Sequence, residues 1–384
     1  MIEESYFDDL DRDLFDISSK MSDVFSWTYG MLGYRLVAPL EPNKFDNASS
    51  KIKEIGIRTL IVLGAVLGFC FAGTYIALSA AVLSLGSKVF RSAGFYFQKD
   101  GFTRVKGKAS EVELIDGKAT VMTWNIRGHG GGLHYDHGVI HWSARVDRIV
   151  EKIQKENADV IVLQEVYDTA LVETLIAKLG DSYANFFTHC GESGCMVISK
   201  CAVHNFAHQE FNNNSKVARG FECLEIKAFP DAKEPCARII GTQLVPDANA
   251  QKLRVEQVAQ IVDSLASKAL NLPTLFVGSL HLDREADKEL LSKYLYHSYR
   301  ETGPTHSHEL VSQWAPVFDG QERSSDFISF FKRNVDGMNL PVVEKGISLL
   351  ESHLVEGFDA DYSTKTALSD HHAIVTTFSG LKGR

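Results

Sequence analysis

From Thr59 to Leu85 the chain carries no Asp, Glu, Lys, Arg or His. Such a run exceeds the roughly 20 residues that a helix needs to cross a hydrocarbon core of about 30 Å. A helix buried in a protein core seldom runs that far without one charge. In lipid every backbone polar group must be satisfied internally, so a membrane helix is the form this stretch is expected to take. Its length also permits a tilted span or a re-entrant hairpin turning near Gly73 and Thr74. Gly64 and Gly68 stand one helical turn apart, a spacing that permits close backbone approach and self-association. Lys51, Lys53 and Arg58 precede the run and Lys88 and Arg91 follow it, so flanking charge does not choose an orientation.

The segment before the run opens with acidic, mixed sequence and lacks the basic start and short apolar stretch of a cleaved secretory signal. The expected organisation is a tail over 1–58, a membrane segment over 59–87, a linker with a first hairpin over 88–118, and an α/β domain over 119–384. Among 384 residues, 45% are hydrophobic and 23% charged, which fits a globular domain with one appended span rather than a polytopic membrane protein. The formal net charge of -9 repels polyanions and makes nucleic acid an unfavoured partner. Six cysteines are scattered without a CxxC pair, as expected of reduced thiols in a reducing compartment. A bridge between Cys190 and Cys195 is open on spacing alone.

Beyond Phe90 short apolar runs alternate with amphipathic stretches. VELIDGKATVMTW predicts a hairpin turning at Asp116 and Gly117 into a buried strand. Val146, Ile149, Val150 and Ile153 recur at helical spacing, giving a helix from Arg145 to Lys155 with one buried face. A strand DVIVLQ follows, then a second helix through Leu171, Leu175 and Leu179. CMVIS, GFECLEI, RIIGTQL and TLFVGS read as further strands, with a long helix bearing Val258, Ile261, Val262 and Leu265 between the last two. The alternation predicts two core sheets with outer helices.

Five motifs carry oxygen and imidazole donors to the ends of these runs: TWNI (Thr123 to Ile126), LQEV (Leu163 to Val166), VGSLHLD (Val277 to Asp283), SDFI (Ser325 to Ile328) and SDHHAI (Ser369 to Ile374). In this order they resemble the strand-end motifs of the endonuclease/exonuclease/phosphatase superfamily, which includes DNase I, apurinic endonucleases, neutral sphingomyelinases and inositol polyphosphate 5-phosphatases. The resemblance covers about two thirds of the chain and implies a four-layered, DNase I-like α/β sandwich. It implies Mg²⁺ or Mn²⁺ on Glu165, whose carboxylate follows an apolar strand, as a hard cation requires. Asn125 would add an oxygen to the metal or phosphate. Asp370 would help at the metal site and serve the phosphate, His371 would contact the phosphate, and Asp326 would orient that imidazole. His372, facing the other way on a strand, is expected to be structural.

Two positions depart from the family. Its GDFN-type motif supplies a water-activating Asp and a phosphate-holding Asn, where this chain has Ser279 and His281. Ser279 cannot serve as a carboxylate base, and His281 replaces the amide only in part. In IIGTQLVPD, Gln243 stands where many relatives have His, so it can hydrogen-bond a phosphate but cannot titrate. Losing a general base alone costs roughly 10²–10⁴ in rate. The His-rich loop with His129, His134, His137, His141 and Asp136, and also Asp283, are potential substitutes. The superfamily resemblance therefore implies either a membrane-anchored, sphingomyelinase-like phosphodiesterase acting on a phospholipid or other phosphodiester, or a pseudoenzyme that binds a phosphorylated ligand or protein partner. A 5-phosphatase is disfavoured, because SSDFISFF lacks that subgroup's PAWCDR-like element, and a nuclease is disfavoured by the charge.

Overall fold

The computed structural model describes residues 103–128, 142, 145–167, 169–188, 194–212, 220–246, 250–281, 293–295, 326–335, 338–342, 346–359, 366–369 and 371–381. The tail at 1–58, the uncharged run with Gly64 and Gly68, the His-rich loop, Asp283 and Asp370 lie outside these residues. Among the described residues no helix is long and apolar enough to cross a membrane. One compact unit comprises 102–130, 145–310 and 319–384. The second, 1–101, 131–144 and 311–318, lies almost wholly outside the described residues.

The first unit contains β1 (Thr103–Lys106), β2 (Ala119–Gly128), α1 (Val146–Glu156), β3 (Val160–Val166), α2 (Thr169–Leu179), β4 (Asn185–Thr188), β5 (Met196–Ser199), β6 (Val203–Glu210), β7 (Gly220–Ile226), β8 (Ala237–Gln243), α3 (Gln251–Ala266), β9 (Thr274–Ser279) and β10 (Asp326–Phe330). It continues with β11 (Asn334–Val335), β12 (Met338–Asn339), β13 (Ser348–Val355), β14 (Phe358–Asp359), β15 (Thr366–Ala367) and β16 (Ala373–Ser379). One sheet has the order β1-β4-β5-β3-β2-β16-β13, and the other β10-β9-β8-β7-β6.

The central strands are apolar on both faces because both faces are covered. Every residue of β3 is buried. Val160 and Val162 face the other sheet, in a core with Leu224, Ile239, Leu275, Val277, Ile328 and Ile374. On the outer face of the five-stranded sheet, Ile240 and Phe276 meet Val258, Ile261, Val262 and Leu265 of α3. On α1, Ile149 and Ile153 are fully buried, which accounts for its period of 3.6. The layers are helix, sheet, sheet, helix, as the alternation of elements predicts.

The first hairpin is a correction. The turn at Asp116 and Gly117 exists, with both residues at positive φ, but Val112 bridges Cys201 rather than β2. The sheet also reaches back into the expected linker: β1 pairs antiparallel with β4, and Gly107, Lys108 and Ala109 continue that edge with backbone bonds to Ala184 and Gly180.

Candidate active site at the strand ends

The registers of three strands set one row of side chains. Gln243 of β8 lies beside Ser279 of β9, and Ser279 lies beside Asp326 of β10. Cross-strand neighbours project to the same face, as do residues two apart along a strand. Two residues into the sheet, Val277 and Ile328 belong to the core between the sheets, and Gly241 fits against Val162 of the opposing strand. The row is therefore the polar rim of an otherwise apolar interlayer. Facing it from the seven-stranded sheet are the ends of β2 and β3, with Asn125 and Glu165, and the residues that lead into β16, with His371.

A continuous set of contacts joins the two sides. Asn125 Nδ2 donates to Glu165 Oε1 at 2.8 Å, and Gln243 Nε2 donates to the same oxygen at 3.0 Å. Tyr167 OH donates to Gln243 Oε1 at 3.3 Å, and because a carboxylate only accepts, the amide nitrogen is the end that faces Glu165. Gln243 Nε2 also lies 3.4 Å from His281 Nε2, and Ser279 Oγ is 3.4 Å from the same nitrogen. The His281 and His371 rings meet edge to face with centroids 6.3 Å apart. His371 Nδ1 in turn donates to Asp326 Oδ2 at 2.7 Å, both groups being buried.

Backbone irregularity aims these groups. The β2–β3 register slips so that Ile126 and Arg127 oppose Glu165 alone, a bulge that re-aims side chains at a strand end. Three non-glycine residues here have left-handed φ, Arg127 at 45°, Glu165 at 60° and His281 at 49°. For such residues this conformation costs on the order of 1–3 kcal/mol each. Asn125 Oδ1 accepts the Arg127 N–H at 3.1 Å, so within the described structure Asn125 turns its N–H, rather than its oxygen, to Glu165.

Two buried arginines, absent from the sequence-derived site, brace these ends. Arg145 Nη1 donates to the carbonyls of Ile126 (2.8 Å) and Leu368, and its Nη2 to that of Arg127 (2.7 Å). Next to Leu368, Ser369 Oγ donates to Asn125 O at 2.5 Å and accepts the His371 N–H at 3.2 Å. Trp124 Nε1 donates to His371 O at 3.0 Å. On α3, Arg254 donates to Val245 O and Gln257 accepts the Val245 N–H, both at 3.1 Å, which holds the segment after Gln243. A sequence signal was present in both cases. Arg145 shares the helical stripe of Ile149 and Ile153, and Arg254 that of Val258 and Ile261, where a charge is buried only if it is paired.

Burial, with the neighbouring His371 and Arg254, pushes the His281 imidazole down to about 4 despite the opposing pull of Glu165 and Asp326. His281 is therefore neutral at pH 7. Among the described residues no group of three or more His, Cys, Asp or Glu is gathered as a metal cage. The Glu165 carboxylate suits a hard, largely hydrated cation such as Mg²⁺, which keeps several waters around one or two carboxylates, whereas Asn125 and Gln243 turn N–H groups rather than oxygens toward it. His372, expected to be structural, has its Nδ1 on the Gly357 N–H at 3.1 Å.

A model of the Endonuclease/Exonuclease/phosphatase family matches residues 122–232. No curated protein matches the chain by sequence. Among solved structures, a beta toxin variant from Staphylococcus aureus with bound magnesium ions is similar at 17% identity and TM-score 0.53, covering 68% of this chain and 99% of that one. SmcL is similar at 17% identity and TM-score 0.51, covering 69% and 100%. TDP2 from D. rerio, complexed with a single-strand DNA product, is similar at 17% identity and TM-score 0.51, also covering 69% and 100%. The two-sheet sandwich is thus the DNase I-like fold, a fold of phosphodiester hydrolases. Residues 122–232 are similar in sequence to the endonuclease/exonuclease/phosphatase family, and the fold agrees with that similarity.

Proposed function

We propose that this chain is a membrane-anchored phosphodiesterase of sphingomyelinase-like type, hydrolysing a phospholipid or related phosphodiester. One observation carries the reading: Asn125, Glu165, Gln243, His281, His371 and Asp326 form an unbroken series of contacts along the rim. Glu165 would hold Mg²⁺, which when bound supplies positive charge to a phosphate and lowers the pKa of water. Asn125 and Gln243 fix the carboxylate. Gln243 and His281 line the place where a phosphate oxygen would lie, and Asp326 holds the His371 ring with Nε2 directed away from the Asp326 bond. Asp370 would join them at the phosphate.

Support for the anchor is the uncharged run at 59–85, which would confine the domain to the surface bearing its substrate and raise the effective concentration of both. The full chain in nanodiscs, given Mg²⁺, is expected to hydrolyse sphingomyelin or bis(p-nitrophenyl) phosphate, and His371→Ala is expected to abolish turnover. No turnover on lipid, nucleotide or generic diesters would sink the proposal. Alkaline extraction should leave the full chain with the membrane, and cross-linking that is lost in Gly64→Leu and Gly68→Leu would report self-association.

Ser279 and Gln243 favour a second reading, a pseudoenzyme that binds a phosphorylated ligand or partner on this surface. It predicts phosphate binding without turnover, and activity that appears only when Ser279→Asp and His281→Asn are combined.

A further inference from the structure

We propose that His281 is the water-activating base, in the place left by the carboxylate that Ser279 does not provide; the inference rests on the phosphodiesterase reading above. Ser279 is fully buried at the end of β9, and its own carbonyl is taken by the Leu244 N–H at 2.9 Å. Two residues on, His281 has a left-handed φ of 49°. Its imidazole lies at the row, with Nε2 3.4 Å from Ser279 Oγ and 3.4 Å from Gln243 Nε2. A base placed over Ser279 needs to come from a neighbouring residue, and among the described residues His281 Nε2 stands beside Ser279 Oγ.

The hydrogen bonding also selects the tautomer. Gln243 Oε1 accepts from Tyr167, so the group that Gln243 turns toward His281 is its amide N–H₂. An amide nitrogen only donates. His281 Nε2 must then carry the lone pair, with the ring proton on Nδ1. The contacts at 3.4 Å are long for hydrogen bonds, so a water that enters the rim can compete for that lone pair.

The groups facing His281 are His371 from the approach to β16, Glu165 from β3, Asp326 from β10 and Arg254 from α3. In the proposed step the water oxygen bonds to phosphorus as one of its protons passes to His281 Nε2. The bond from phosphorus to the ester oxygen breaks, and the departing oxygen takes a proton from solvent. His281 then returns its proton to solvent, so that a diester and water give a monoester and an alcohol.

The test uses the full chain in nanodiscs with Mg²⁺ and bis(p-nitrophenyl) phosphate. His281→Ala and His281→Gln are each expected to lower kcat by roughly 10²–10⁴ while KM stays within a few-fold, the range for loss of a general base. Added imidazole should restore turnover saturably to His281→Ala but not to His371→Ala, a readout that a structural role for His281 would not produce. Wild-type turnover in His281→Ala and His281→Gln, or a matching loss confined to Asp283→Asn, would overturn the assignment and leave the phosphodiesterase reading standing. A wild-type chain inert on every diester would overturn that reading and this one with it.

Discussion

Gly278 and His281 are the two residues whose backbone the site can least do without. At Gly278 φ is 145°, and a Cβ there would lie 1.8 Å from Thr242 O. That carbonyl belongs to β8, immediately before Gln243, so relief would have to separate β8 from β9 at the row itself. Gly278→Ala is expected to destabilise the domain by about 4 kcal/mol or more, among the larger single-residue effects, as read from urea unfolding. His281 makes stability depend on pH in a defined direction. Its imidazole titrates near 6.5 when unfolded and about 4 when folded, so between these values the unfolded chain binds the extra proton. The contribution is fully present above about pH 6.5 and is lost as pH falls toward 4. Urea unfolding at pH 7 and pH 4.5 should show a larger loss for wild type than for His281→Asn; equal losses would refute the depressed value.

At the scale of elements, Arg145 couples β2 to the segment before β16. Its three carbonyl acceptors span both, and Ser369 ties the same two places again. A lysine has one nitrogen and cannot reproduce the fork, which leaves buried carbonyls short of a donor at about 1–3 kcal/mol each. Arg145→Lys should therefore lower stability by about 3 kcal/mol. In combination with Ser369→Ala the losses should be non-additive, which a double-mutant cycle of urea unfolding measures. The strands β3, β5, β7, β8 and β9 met expectation; they are buried along their whole length and appear in the sequence as apolar runs. Edge strands did not reveal themselves. β6 is partly exposed and reads VHNFAHQE, and most of β13 is exposed or half-exposed, so neither has the apolar run that marks a central strand. Asn125, Glu165, Gln243, Ser279 and Asp326 were legible through motifs that resemble those of the superfamily, and the structure places each at a strand end. The bulge opposite Glu165 and the left-handed backbone of Glu165 and His281 were not, since residue identity alone does not specify a register or a positive φ.

For the whole molecule, the position of β1 changes where the α/β unit begins. β1 supplies the outer partner of β4, and Phe187 of β4 is buried in the interlayer core and stacked on Phe206 at 4.3 Å. A fragment starting at residue 119 would leave β4 as a bare edge, whereas one starting at 102 keeps it paired. The 102–384 fragment is expected to unfold in one cooperative urea transition at a higher midpoint than 119–384. It also separates chemistry from tethering. If the 59–85 run serves only as an anchor, hydrolysis of soluble bis(p-nitrophenyl) phosphate should proceed without it at the full-chain rate. On vesicles the lost surface confinement should cost about 10²–10⁴ in rate, the usual gain from making a second encounter intramolecular. Equal rates on vesicles with and without the run would remove the anchor from the proposed function, while a parallel loss on the soluble diester would place the run within the folded unit instead of beside it.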